Sequence, residues 1–268
     1  SLFARYDRSS AITEPYSIKT STLNYIGGDS WRSPGQWIEW NFEVPEDGWY
    51  NISIQARQLF QRGYVACRSI YIDGEIPMQE LKTVGFPYSS DWKTKVLTDA
   101  EDKPINLYLK KGKHKLRMEA TLGEVGTIIN KLQDSIFRLN KMYRTILVLT
   151  GVYPDPYRDY EIHKVYPEVV EAMQLESRRL YKYIDEFVQI TGQKSDKMAI
   201  AETLAVQLEQ FYKNPDKITK SFANFKSNIS TLGSSLLSLT ETKLDVDYFV
   251  ITPANQKIKP KKSNFFKN

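Results

Sequence analysis

A single cysteine, Cys67, stands in 268 residues, so an intramolecular disulfide and a cysteine-based zinc site are both excluded. Histidine is almost as scarce. His114 and His163 leave little material for histidine-metal or nucleophilic chemistry. No apolar run approaches the ~18 residues of a membrane span. No charged-then-apolar leader opens the chain, so no signal peptide is expected in it. Gly27-Gly28 is a turn signal and no more, and no glycine-rich phosphate loop appears. A basic excess is lacking in the body as well. The net charge of +5 comes from Lys257, Lys259, Lys261, Lys262 and Lys267, and without them basic and acidic residues balance at 32 each. A nucleic-acid partner is therefore not expected, and residues 253–268 read as a solvated basic linker tail.

What is present is a bias toward aromatic residues, 13% of the chain, with 17 tyrosines and 5 tryptophans. The length suggests two units. Residues 1–122 read as β. Ile38, Trp40, Phe42 and Val44 alternate with Trp37, Glu39, Asn41 and Glu43, and Tyr50, Ile52, Ile54 and Ala56 alternate with polar neighbours after the turn Pro45–Gly48. The two runs are expected to form a hairpin. A strand at 65–72 ends at the turn Asp73-Gly74, and 104–109 with 113–120 suggests a second hairpin around Lys110-Lys111-Gly112. Short strands separated by turn signals predict an antiparallel sandwich.

Residues 123–242 read as α. Ile129, Leu132, Ile136, Leu139, Tyr143 and Ile146 make one apolar seam, and Ile218, Phe222, Phe225, Ile229, Leu232, Leu236 and Leu239 make another. Helices near 167–190 and 196–212 lie between, with Ser195 and Asp216 suited to helix starts. Four amphipathic helices suggest a bundle. The β pattern then returns at 243–252, where Leu244, Val246, Tyr248 and Val250 alternate with Asp245, Asp247 and Phe249. One late strand cannot stand alone. It is expected to rejoin the first sheet, which makes the bundle an insertion in the sandwich.

The runs Gly35-Gln-Trp-Ile-Glu-Trp-Asn-Phe-Glu-Val-Pro-Glu-Asp-Gly-Trp-Tyr50, Arg68-Ser-Ile-Tyr-Ile-Asp-Gly74 and Leu109-Lys-Lys-Gly-Lys-His-Lys-Leu116 resemble the galactose-binding-domain-like jelly roll of many carbohydrate-binding modules. A narrower resemblance spans nearly the whole chain. Asn24-Tyr-Ile-Gly-Gly28, Phe86-Pro-Tyr-Ser-Ser-Asp-Trp92, Leu139-Asn-Lys-Met-Tyr-Arg144 and Pro154-Asp-Pro-Tyr-Arg-Asp-Tyr160 are similar to the non-catalytic region of large extracellular solute-binding proteins. Those serve sugar-type ABC transporters of Gram-positive bacteria. The resemblance implies an all-β jelly-roll sandwich with an inserted bundle of about four helices, located at the cell surface. It implies as partners an oligosaccharide or cell-surface glycan and, through a downstream part, the membrane subunits of an ABC transporter. No cofactor is expected. Calcium is the exception in many related modules, and the acidic first strand that would help to hold it belongs upstream of Ser1.

Catalysis is not expected. His114 falls on the inward side of a strand and reads as a satisfied core histidine, and His163 sits in a polar approach to a helix. The pairs Asp245/Asp247 and Asp155/Asp159 are of a kind common in any soluble domain. Sugar binding suits the residues better, because pyranose C–H faces stack on aromatic planes and hydroxyls need planar donors and acceptors. Candidate contacts are Trp31 in the Gly27–Gly35 loop, Tyr88 and Trp92 in an irregular 85–92 segment, Tyr157 and Arg158 in the 153–160 loop, and Arg57, Gln58 and Arg68 at strand ends. For Trp31 and Trp92, capping the core weighs equally with contacting a ligand. Trp40 and Tyr50 are read as core, and Trp37 and Trp49 as outward. The alternatives are a structural spacer or docking module without a sugar ligand, and an anchor on cell-wall polymer.

Overall fold

The structure is a computed structural model, and it describes residues 4–8, 22–155 and 157–256. The basic tail beyond residue 256 falls outside them. Two units are distinguished. One runs through Gly123 and resumes at Glu241, and the other is Glu124–Thr240.

The first unit holds β1 (Ala4–Arg8), β2 (Thr22–Gly27), β3 (Trp37–Val44), β4 (Gly48–Gln58), β5 (Val65–Ile72), β6 (Val84–Pro87), β7 (Ser89–Val96), β8 (Leu107–Leu109), β9 (Gly112–Thr121) and β10 (Asp245–Pro253). One antiparallel sheet has the order β1-β2-β10-β4-β7, with β8 also beside β4, and the other has the order β3-β9-β5-β6. The core lies between them. From β4 it takes Tyr50, Ile52, Ile54 and Ala56, and from the facing sheet Ile38, Ile70, Leu116, Met118 and Ala120. Each buried large aliphatic or aromatic side chain contributes about 1.5–3 kcal/mol relative to exposure.

β10 joins β4 from Asp245↔Arg57 to Pro253↔Tyr50 and meets β2 on its other edge. The strand that follows the helical unit in sequence is thus an interior strand of the first sheet. Its register shifts between Val246 and Tyr248. This bulge turns Phe249 and Ile251 onto the core with Val246 and sends Tyr248 and Val250 to the other face, which overturns the simple alternation expected there.

Neither expected hairpin forms. β3 pairs with β9, whereas β4 pairs with β10, β7 and β8 in the other sheet. β8 and β9 divide between the sheets in the same way. The turns at 45–47 and 110–111 cross from sheet to sheet, so consecutive strands face each other across the core. Alternation shows which face is buried but does not reveal the hydrogen-bonding partner. The 85–92 segment is also not irregular. It supplies β6 and edge strand β7, whose mostly polar run Ser-Ser-Asp-Trp-Lys-Thr-Lys-Val carries little alternation.

The second unit comprises α1 (Val125–Thr150), α2 (Ile162–Val165), α3 (Pro167–Thr191), α4 (Ala199–Lys213), α5 (Lys217–Lys220) and α6 (Phe222–Leu239). Four of these are long. Their seams meet in stacked Tyr143 and Phe222, 4.6 Å between centroids, and in the edge-on pair Phe211 and Phe225 at 5.6 Å. Ser195 accepts a hydrogen bond from the Lys197 amide at 3.3 Å, as a helix cap does. Asp216 makes no side-chain cap, contrary to expectation. One charge is fully buried. Glu176 receives Arg138 at 2.6 and 3.0 Å and Arg179 at 3.1 Å, so it is paired on two sides. No helix among the described residues is long and apolar enough to cross a membrane.

Candidate functional site

On β4 the residues between the core positions are Trp49, Asn51, Ser53, Gln55 and Arg57. They share the outer face of the first sheet. At one end the Arg57 guanidinium lies 4.4 Å from the Trp92 ring centroid and 5.1 Å from that of Tyr25, and those two rings meet edge-on at 5.5 Å. Arg57 Nε donates to Asp245 Oδ2 at 3.2 Å, from the adjacent strand β10. A largely desolvated ion pair therefore fixes the cation that holds both aromatic rings. At the other end Trp49 and Tyr108 meet edge-on at 5.4 Å and are 57% and 54% exposed. Exposed rings on neighbouring strands are held rigidly, so little entropy is lost when they are covered.

The polar row between the two ends lies below the surface. Asn51 Nδ2 donates to the Ile105 carbonyl at 2.7 Å and to Asn106 Oδ1 at 2.9 Å, and Thr94 Oγ1 donates to Gln55 Oε1 at 2.5 Å. The hydroxyls of Ser53 and of Thr252, on adjacent strands of this face, are buried with no hydrogen-bond partner. The surface above the row is formed in part by Thr94, Val250 and Thr252.

Of the candidates read from sequence, Arg57 and Trp92 come together here. Three others are corrected. Trp31, Gln58 and Arg68 have essentially no accessible surface and cannot touch a ligand. Trp31 caps the sandwich core, its Nε1 donating to the Gln36 carbonyl at 2.9 Å. Gln58 closes the following turn, donating to the Gln61 and Tyr64 carbonyls and accepting from the Phe60 and Gln61 amides. Arg68 sits 4.0 Å over the Trp31 ring and donates to the carbonyls of Cys67 and Trp31 and to Thr242 Oγ1. Burial pulls its pKa down to about 9. Arg68 ties the Trp31 loop to the segment leading into β10, and Gln58 fastens only its own turn. Gly27 completes that clasp. A Cβ there would lie 1.9 Å from the Leu244 carbonyl oxygen, at a φ of +145°.

Tyr88 is half-buried at the step between the sheets, with Arg62 at 5.4 Å from its ring. Tyr157 and Arg158 belong to the helical unit and line a separate cavity there. Sequence reasoning missed Tyr25, Tyr108 and Asp245 as members of the site. The outward register of Trp49 was a usable signal, but nothing local ties Arg57 to an acid 188 residues later.

His114 is half-buried near the start of β9, an interior strand of the second sheet. Its Nδ1 lies 2.7 Å from Asp73 Oδ2 and its Nε2 2.7 Å from the Lys110 carbonyl. Both partners are acceptors, so the doubly protonated ring satisfies both contacts. Desolvation lowers its pKa, the Lys110 and Asp73 hydrogen bonds raise it, and the net shift is upward. With both nitrogens engaged this ring straps the turn at Asp73 to the Lys110 carbonyl. Among the described residues no group of three or more His, Cys, Asp or Glu is placed to hold a metal ion.

No curated protein matches this chain. Among solved structures it is similar to a family 35 carbohydrate-binding module from Clostridium thermocellum, at 17% identity over 45% of this chain and 79% of that one, with a TM-score of 0.31. It is similar to the family 35 module from Paenibacillus barcinonensis at 19% identity over 45% and 80%, TM-score 0.28. A cycloisomaltooligosaccharide glucanotransferase from Paenibacillus sp., solved with cycloisomaltoheptaose, is matched at 16% identity over 44% of this chain and 14% of that one, TM-score 0.30. Residues 127–240, the greater part of the helical unit, match the family described as the 4-helix bundle domain of bacterial solute-binding proteins.

Proposed function

We propose that the chain is a non-catalytic carbohydrate-recognition module of an extracellular solute-binding protein for sugar uptake, and that glycan lies on the outer face of the first sheet. The observation that carries this reading is the fixed set of aromatic planes there, with Trp92 over Arg57 at one end and exposed Trp49 with Tyr108 at the other. The bundle match at 127–240 supports a setting in a solute-binding protein, with a transporter as eventual partner. The test is a glycan-array screen of the full chain beside Trp92→Ala and Trp49→Ala. Binding of a neutral oligosaccharide, weakened about tenfold or more by Trp92→Ala, is the expected result. A folded chain that binds no glycan contradicts it.

A docking module without sugar is the second reading. It is favoured by the helical unit's exposure of Phe137, Val148 and Leu237, all more than 70% accessible. Absence of glycan binding in the same screen would support it.

A further inference from the structure

The helical unit carries a feature that its packing does not use. α1 ends at Gly151, with φ +75°, and the chain then forms a loop before α2. The loop is locked by its own bonds. Asp155 Oδ1 accepts from the Tyr157 amide at 2.9 Å, the Asp155 amide donates to the Tyr160 hydroxyl at 2.9 Å, and Asp159 Oδ1 accepts from the Glu161 amide at 2.8 Å. The Arg158 guanidinium lies 4.9 Å from the Tyr160 ring centroid. Despite this order Tyr153 and Tyr157 are 93% and 96% exposed. Two rings held in water by a fixed loop add nothing to the core.

Beside Tyr157 is a cavity of about 190 Å³, where the loop meets the approach to α5. Arg158, Asp159, Asp216, Thr219 and Lys220 line it together with Tyr157. Glu161 lines it too, so three acids face two bases, and Glu161 is held by Lys164 at 2.6 Å, which balances the charges around the cavity. An anion would meet Asp159 and Asp216, and a simple cation would meet Arg158 and Lys220, so neither is selected. Interleaved donors and acceptors beside an aromatic plane suit a neutral polyol ring with one C–H face. The volume is below the roughly 300–1,000 Å³ of pockets for drug-sized ligands, which suits one ring and not a chain.

We infer that this cavity of the helical unit is a second saccharide site, binding a single neutral pyranose unit between the Tyr157 ring and the polar groups of Asp159, Asp216 and Lys220. It does not depend on the sandwich site, with which it shares no residue.

The test is saturation-transfer NMR on the full chain with methyl α-D-glucopyranoside, methyl β-D-galactopyranoside and N-acetyl-D-glucosamine, each titrated to about 50 mM, a range suited to millimolar affinity. The background is Trp92→Ala, which weakens the sandwich site. Transfer to at least one sugar should persist there and fall about tenfold in affinity on adding Tyr157→Ala. Asp216→Asn, which keeps the side chain's shape, should weaken it as well. Helical ellipticity should be unchanged in each variant, because the Tyr157 side chain is almost wholly in water. No transfer to any of the three sugars, transfer that disappears with Trp92→Ala alone, or transfer indifferent to Tyr157→Ala would each overturn the inference. Loss with Trp92→Ala alone would assign the sugar to the sandwich, and the other two results leave oligosaccharide binding there untouched.

Discussion

The sandwich and the bundle are held together by different means. In the bundle each long helix makes its own backbone bonds, and the helices meet through single apolar seams of side chains such as Leu139, Phe211 and Phe225. In the sandwich the backbone bonds are themselves long-range. β4 is bonded to β10, whose residues come about 190 to 200 positions later. Polar devices also differ. The bundle keeps one buried acid, Glu176, tied to arginines on α1 and α3. The sandwich spends Arg57, Arg68, Gln58 and Thr242 on fastening strand ends and loops. A unit closed by its last strand is sensitive at that closure. A unit closed by seams is sensitive at its rings.

All five tryptophans fall between residues 31 and 92, and among the described residues all six α-helices fall between 125 and 239, so two optical signals separate the units. Tryptophan fluorescence follows the sandwich and ellipticity at 222 nm follows the bundle. The largest effect is expected from Phe225→Ala, which empties a fully buried ring site and costs about 3–5 kcal/mol. The 222 nm midpoint in urea should fall, while the fluorescence midpoint moves much less. Equal shifts in both would mean that the two units unfold as one.

Arg57→Met is the counterpart in the sandwich. It leaves the Asp245 carboxylate buried without its arginine, at a cost of about 3 kcal/mol. Here the fluorescence midpoint should fall and the 222 nm midpoint should hold. An unchanged fluorescence midpoint would remove the ion pair from the account of the strand closure.

A smaller effect is expected from pH. The folded pKa of His114 is raised above its unfolded value of about 6.5, so its contribution is complete below that value and is lost as pH rises through the folded pKa. The sandwich midpoint should therefore be higher at pH 6 than at pH 9, and His114→Asn should flatten that difference. A dependence that survives the substitution assigns the titration to another group. The smallest change is expected from Trp49→Ala, whose ring is exposed. Stability should stay within about 0.5 kcal/mol while glycan affinity falls, a split that calorimetry beside a urea titration would show.

The bundle was readable in the sequence because its seams repeat locally. Every residue named for the 218–239 seam is buried. The sandwich was readable in its faces but not in its pairings. Trp40, Tyr50 and Ile54 turn inward as their alternation indicates, yet β3 and β4 join different sheets, which no periodicity discloses. The bulge in β10 inverted the expected facing of Tyr248 and Val250 for a similar reason, since one extra residue changes parity without changing composition. Site residues followed the same division. The aromatic bias was legible, but burial separated Trp31 from Trp92, and that depends on which loop folds over the core.

Excision of the helices tests the central claim most directly. Cys67 accommodates both ends of the insertion. Its amide donates to Thr242 Oγ1 at 3.1 Å, and a Cβ placed on Gly123 would lie 3.1 Å from its sulfur. A chain with residues 126–239 replaced by a short glycine-serine linker should lose the 222 nm signal and keep a cooperative fluorescence transition on unfolding. Loss of that transition would show that the strands do not form a sandwich of their own closed by β10, and the account of an interrupted sheet would be wrong.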